Sequence, residues 1–147
     1  PRTEFLLYSA SRSQHVSQLI GPSLAAGKIV ISDRYADSSL AYQGYGRGLD
    51  LEMLKQITGF ATEDLKPDLT LYFDIAAGEG LQRRLLNGET WNRMDAEALA
   101  FHRRVRFGYL ELIAHDPNRW EVIDANRPIG DVQRDVREVV GRRLKAG

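Results

Sequence analysis

The apolar positions of this chain follow two patterns: stretches with helical spacing, and three short runs rich in β-branched and aromatic residues. From Thr3 to about Ala26 the pattern is helical, with Phe5, Leu6, Tyr8, Leu19 and Ile20 as apolar positions. Gly21-Pro22 predicts a break or kink in that helix, and Gly27 its stop. The run Ile29 to Ser32 is too brief for a helix and predicts a buried strand. A helical segment from Ala36 to Tyr42 follows, and Gly44, Gly46 and Gly48 then predict a turn with positive φ. Asp50 is placed to cap a helix from about Leu51 to Ala61. Leu69 to Asp74 predicts a second strand, apolar enough to be covered on both faces as in a parallel sheet. A helix from about Ala77 to Leu86 is then interrupted by the polar stretch Asn87 to Asn92.

The longest helix is expected from about Ala96 to Ala114. Leu99, Val105, Leu110 and Ile113 form its apolar stripe with Phe101 and Tyr109 beside it, while His102, Arg103, Arg104 and Arg106 read as a solvated face. A third strand, Trp120 to Ile123, precedes a closing helix with Pro128 in its first turn and its end near Leu144. Strands alternating with helices, without repeats or a long linker, predict one α/β domain over residues 1–147, a parallel sheet with helices on both faces.

Composition narrows the function classes. The 20 Lys and Arg balance the 20 Asp and Glu, which removes any general pull toward nucleic acid or a membrane surface. With no cysteine, disulfides, thiolate nucleophiles and cysteine metal sites are excluded, which fits a reducing compartment. His15, His102 and His115 lack the spacing of a zinc site, so no protein-held metal is expected. No apolar run approaches the length of a membrane span, and no signal peptide opens the chain; the expected location is the cytoplasm.

The chemistry-bearing residues gather around the first apolar run. Asp33 and Arg34 follow it directly, and in an open parallel sheet ligands sit beyond the carboxyl ends of strands. Arg offers phosphate a planar two-pronged donor, and Asp can hold Mg²⁺ or its water; a salt bridge closing a strand end fits the same dipeptide. Tyr8, Arg12 and His15 share a helix face by spacing. Tyr8 and Arg12 can hold a planar base, the ring stacking and the guanidinium donating to a carbonyl oxygen; equally, Tyr8 can pack at the core margin with Arg12 in solvent. Gly44-Tyr45-Gly46 is no dinucleotide fingerprint, because no strand precedes it.

The whole run is more specific than its parts. Asp33-Arg34-Tyr35, Ser38-Ser39, Tyr42-Gln43 and Gly44-Tyr45-Gly46-Arg47-Gly48, together with Pro67-Asp68-Leu69-Thr70-Leu71-Tyr72-Phe73-Asp74, resemble the thymidylate kinase (dTMP kinase) family along the whole chain. The resemblance implies a P-loop NTPase-like nucleoside monophosphate kinase fold whose phosphate-binding loop and its strand lie upstream of Pro1, so that the chain is N-terminally incomplete. It implies transfer of the γ-phosphoryl of ATP to dTMP with Mg²⁺, giving dTDP, and a homodimer. It implies that Arg34 binds the acceptor phosphate with Asp33 beside it, that Tyr8 and Arg12 meet the thymine, and that Ser38, Ser39, Tyr42 and Gln43 line the acceptor pocket. Some relatives carry Asn at the position of Ser39, which leaves room for a bridging water to the base. The resemblance further implies a lid over about residues 87–95, with Arg83 and Arg93 meeting the transferring phosphoryl, and Ala125 and Asn126 near adenine. Asn87 departs from an Arg common in bacterial relatives; Arg84 is the alternative source of that charge. Asp74 is expected to be structural.

No Gly-x-x-x-x-Gly-Lys-Ser/Thr loop occurs in these residues, so the 147-residue chain by itself is expected not to turn over. Two other readings remain open from sequence: a kinase of the same fold acting on another nucleotide or small molecule, and a non-catalytic nucleotide-binding module.

Overall fold

The structure, a computed structural model, describes residues 1–79 and 93–146, and their side chains except those of 93–96 and 146. The chain divides into two compact units, Pro1–Lys66 with Phe107–Tyr109, and Pro67–Arg106 with Leu110–Gly147.

The first unit is helical. Helix α1 (Arg2–His15) runs on through a π-helical turn, Val16–Ile20, into α2 (Gly21–Ala25). The expected break at Gly21-Pro22 is thus a widened turn: the Gly21 amide reaches back five residues to the Val16 carbonyl just before Pro22. Proline has no N–H and its ring crowds the carbonyl of the preceding turn, so a widened ladder accommodates it without ending the helix. Gly27 does end it. At φ 72 it forms a reciprocal cap, Lys28 N–H donating to Ser23 O at 3.0 Å and Gly27 N–H to Leu24 O at 2.9 Å.

The run Ile29 to Ser32 is not a strand, against the sequence expectation. It is irregular, with Ile29 72% and Ile31 93% exposed, and the sheet formed by the described residues has only the strands β1 and β2. β-branched composition is a preference for a pleated, half-buried surface, and a strand exists only where a ladder partner supplies one. The segment from Ala36 is helical as expected: α3 (Ala36–Ser39) passes into a seven-residue π-helix, Leu40–Gly46. Gly44 and Gly46 therefore lie inside helical backbone and only Gly48, at φ 75, takes the positive φ expected of the glycine turn. Helix α4 (Leu51–Thr62) starts where Asp50 Oδ1 accepts from the Met53 amide at 2.7 Å. Phe5, Val16, Ile20, Ala41 and Leu54 form this unit's core.

The second unit holds β1 (Thr70–Asp74) and β2 (Trp120–Asp124), paired in parallel with Thr70 opposite Trp120 and Asp74 opposite Asp124. Phe73 and Val122, on opposite faces, are each 49% exposed, so the described helices leave both faces partly open. Helix α5 (Arg93–His115) is long, as expected, and α6 (Ile129–Ala146) closes the chain after Pro128. Val105, Trp120, Ile123 and Val139 are the buried apolar residues here among the described residues.

One member of the presumed solvated face on α5 is committed instead. Arg106 donates twice to Asp74, Nε to Oδ1 and Nη2 to Oδ2, both at 2.7 Å. Helical spacing says which side of its own helix a residue occupies, not what stands opposite, and here a carboxylate at the end of β1 does. These bonds hold the Asp74 carboxyl below its ordinary 3.8, and raise the Arg106 guanidinium. A depressed carboxyl contributes stability that is complete above its unfolded pKa and is lost as pH falls through its folded value. Arg106→Gln is therefore expected to lower thermal stability by about 1 kcal/mol at pH 7, the half-exposed guanidinium limiting the effect. The gap to the wild type should close below about pH 4. Melting curves from pH 7 to pH 2.5 check this; a gap that persists undiminished at pH 2.5 contradicts it.

Candidate active site

The candidate site lies within the first unit, and Arg12 is its most constrained side chain. Its Nη2 donates to the Tyr35 carbonyl and to Ser39 Oγ, both at 3.2 Å. The guanidinium carbon lies 5.8 Å from the centroid of the Tyr35 ring. Nη1 is buried and has no partner among the described residues. A buried donor left unmade costs about 1–3 kcal/mol, so it is a strong demand for an acceptor oxygen. Burial lowers the Arg12 pKa, partly offset by Tyr35 and Asp37, but a guanidinium stays charged at neutral pH. Tyr8, one turn earlier, is 53% exposed. The packing alternative is thus reversed on both counts: the Arg is held in the fold and the Tyr ring is presented outward.

Ser39 is 2% exposed, and its hydroxyl fixes Arg12. A shorter side chain than Asn therefore serves here as part of the arginine's support. Gln43, 3% exposed, donates through Nε2 to Glu4 on α1. Its amide nitrogen is tied to the first helix.

Asp33 and Arg34 are exposed at a bend. Arg34 has φ 66, an unusual backbone for a residue with a Cβ, and Ser32 Oγ donates to its carbonyl at 2.9 Å. Such conformations cost on the order of 1 kcal/mol and cluster at functional sites. The Arg34 guanidinium lies 4.8 Å from the Tyr42 ring centroid, a cation–π contact. Tyr42 in turn meets Tyr109 edge-on, centroids 6.4 Å apart at 80°. Ser38 Oγ and the Tyr109 hydroxyl lie 2.8 Å apart, within hydrogen-bond reach.

Tyr109 reaches this cluster because Gly108 lets the stretch Phe107–Tyr109 lie close to Tyr45. A Cβ on Gly108 would stand 2.6 Å from Tyr45 Cγ and 2.7 Å from Tyr45 Cβ. Tyr45 also meets Phe107 edge-on at 5.9 Å. Gly108→Ala is expected to destabilise the protein by about 2 kcal/mol despite alanine's better helix propensity, because Tyr45 Cβ cannot rotate away. Thermal unfolding of the variant checks this, and a melting point unchanged or raised contradicts it.

The remaining expected residues belong to the second unit or lie outside the described residues. The Ala125 amide donates to Asp74 O at 2.8 Å, and the Asn126 amide to Asp124 Oδ1 at 2.9 Å. Both sit just past the carboxyl end of β2, the edge where ligands bind in parallel sheets. Arg83 and Arg84, with residues 87–92 of the expected lid, lie outside the described residues, as does the side chain of Arg93 in the first turn of α5. Asp74, expected to be structural, is paired with Arg106. No group of three or more His, Cys, Asp or Glu gathers among the described residues, nor is any described helix long and apolar enough to cross a membrane.

The family model described as thymidylate kinase matches residues 1–136. The chain belongs to the thymidylate kinase family. Similar members include the thymidylate kinase of Roseiflexus sp. (strain RS-1), 49% identical over 151 residues, covering 95% of this chain and 67% of that protein. That of Shouchella clausii (strain KSM-K16) is 48% identical over 144 residues, covering 97% of this chain and 68% of the relative. That of Roseiflexus castenholzii (strain DSM 13941 / HLO8) is 48% identical over 152 residues, covering 95% and 66%. The chain thus spans about two thirds of each thymidylate kinase's length. Within this thymidylate kinase family chain, the structure gathers Arg12 with Tyr35 and Ser39, and Arg34 with Tyr42, Tyr109 and Ser38, the two groups joined where the Ser38 amide donates to the Tyr35 carbonyl at 3.2 Å. Tyr109, which joins Ser38 to Tyr42, was read from sequence as packing beside an apolar stripe. The available signal was Gly108, a helix-interior glycine that marks a close approach.

Proposed function

We propose that this protein is a dTMP kinase, transferring the γ-phosphoryl of ATP to dTMP and releasing dTDP and ADP. The observation that carries the assignment of the acceptor to this site is the buried Nη1 of Arg12, without a partner among the described residues, one turn from the outward-facing Tyr8. In this arrangement the Tyr8 ring covers one face of thymine and Arg12 Nη1 donates to a base carbonyl oxygen, while Ser39 and the Tyr35 carbonyl hold the guanidinium in place. Arg34 takes the acceptor phosphate. Tyr42, carrying that guanidinium on its ring, occupies the space beside the deoxyribose, and Ser38 lines the base pocket.

The chemistry asks for positioning and charge stabilisation rather than a strong base. An acceptor phosphate oxygen is already anionic; it bonds to the γ-phosphorus as the bond to the ADP oxygen breaks. Arg34 keeps that oxygen in line and neutralises the acceptor's charge. Mg²⁺ bound with ATP supplies further charge neutralisation. Mg²⁺ keeps several waters and takes few carboxylates, so the single exposed Asp33 next to Arg34 fits as the holder of a metal-bound water. Arg83 and Arg93 meet the donor phosphoryl from the lid, and Ala125 and Asn126 approach adenine through backbone groups. A P-loop NTPase-like fold, in which these units form one domain, belongs to the same proposal and is supported by the parallel pairing of β1 with β2.

The test is ADP release with ATP and Mg²⁺ in the presence of dTMP, dAMP, dGMP or dCMP, with binding of each measured in parallel. Because no phosphate-loop motif occurs in these residues, binding reports on the acceptor site even without turnover. Turnover or tight binding restricted to dTMP is expected. Equal turnover with all four, or no preference in either measurement, overturns the assignment.

A further inference from the structure

Three side chains of the site, Ser38 and Tyr42 directly and Arg34 through Tyr42, are linked to one residue that no part of the proposed reaction requires. Tyr109 lies on α5, far in sequence from every acceptor-side residue, and its ring and hydroxyl do different things. The hydroxyl is within 2.8 Å of Ser38 Oγ. The ring meets that of Tyr42 edge to face at 80°, and the Arg34 guanidinium lies 4.8 Å from the Tyr42 centroid. Gly108 and the Tyr45–Phe107 contact fix the approach of the stretch Phe107–Tyr109, so Tyr109 is presented from helical backbone rather than from a loop.

We infer that Tyr109 is a positioning residue of the acceptor site, its hydroxyl orienting Ser38 and its ring bracing Tyr42 and, through Tyr42, the Arg34 guanidinium. The inference rests on the dTMP reading of the site. It follows from three points of physical chemistry. A serine hydroxyl rotates freely unless a partner fixes it, so the direction of its remaining lone pair toward a ligand is set by Tyr109. A tyrosine ring held edge-on by a second ring keeps the orientation that a cation on its face needs. An exposed arginine otherwise samples many rotamers, and ordering it before the ligand arrives raises affinity by removing that cost from the binding step. Burial raises the Tyr109 pKa, so its hydroxyl keeps its proton throughout the neutral range.

Two ligands separate the two roles. Thymidine carries the base and sugar, and dTMP adds the phosphate. Tyr109→Phe removes the hydroxyl and keeps the brace, so affinity for both ligands should fall equally, about fivefold. Ser38→Ala should do the same, and the double variant no more than either alone. Tyr109→Leu removes the brace as well, so the preference for dTMP over thymidine should itself fall by about fivefold. A residue that only fills space has no reason to change that preference. If Tyr109→Leu fails to fold, the Tyr109→Phe and Ser38→Ala cycle carries the test.

Arg12→Ala is measured alongside to separate the two levels of failure. If it leaves dTMP affinity unchanged, the acceptor-site assignment itself fails, and the Tyr109 role with it. If Arg12→Ala weakens dTMP binding while Tyr109→Phe changes nothing, or while Tyr109→Phe and Ser38→Ala simply add, the Tyr109 role is overturned and the site stands.

Discussion

Arg34→Gly is expected to weaken dTMP binding by about 10²-fold while leaving the fold as stable as before or more so, by up to ~1 kcal/mol. The two effects come from different parts of the residue. The backbone at φ 66 is one that glycine adopts without penalty and arginine does not. The guanidinium on the Tyr42 ring is the group proposed to take the acceptor phosphate. Thymidine, which lacks that phosphate, should bind the variant within about twofold of the wild type, apart from the loosened Tyr42. Calorimetric titration with both ligands, together with thermal unfolding, separates the terms. A variant that keeps dTMP affinity, or loses thymidine affinity just as much, would show that Arg34 does not hold the phosphate.

Arg12→Ala is expected to weaken dTMP and thymidine alike, again by about 10²-fold, because the lost donor is the one proposed to serve the base. Unlike Arg34, Arg12 is also part of the fold. Its removal takes one of two donors from the Tyr35 carbonyl, which keeps the Ser38 amide, and deprives the buried Ser39 hydroxyl of its arginine, at a stability cost of about 1–2 kcal/mol. Arg12→Lys keeps the charge but gives up the planar fork that spans Tyr35 O, Ser39 and the ligand at once, and should recover no more than about tenfold of the loss. Full recovery by lysine would mean that charge alone, not the fork, serves the base.

Much of the helical architecture was legible because its signals are local. Asp50 caps α4 at the expected residue, and Gly27 stops the first helical run with the expected positive φ. Pro22 announced an irregularity, but not that a π-turn would absorb it. The run at Ile29 shows where local signals fail. Its β-branched residues are as strand-like as those of β1, yet β1 has β2 for a ladder and Ile29 to Ser32 has no such partner among the described residues.

The site was legible in its residue types and less so in its connections. Arg12, Arg34, Ser38, Ser39 and Tyr42 were singled out, but spacing within one helix could not show that Ser39 holds Arg12 or that Tyr42 carries Arg34. Those contacts join elements separated by more than twenty residues, or depend on a ring orientation. Arg106 and Tyr109, three residues apart on α5, were given surface and packing roles for the same reason. What each meets, Asp74 in one case and Ser38 with Tyr42 in the other, is a matter of tertiary placement.

The most direct test of the acceptor site compares dTMP with dCMP in calorimetric titrations of the wild type and Arg12→Ala. Thymine offers an acceptor oxygen where cytosine offers an amino donor, so a guanidinium N–H aimed at that edge discriminates between them. The wild type is expected to prefer dTMP by about 10²-fold or more, and Arg12→Ala to lose most of that preference. Equal affinities in the wild type, or a preference that survives the loss of Arg12, would contradict the assignment of this site to thymine recognition.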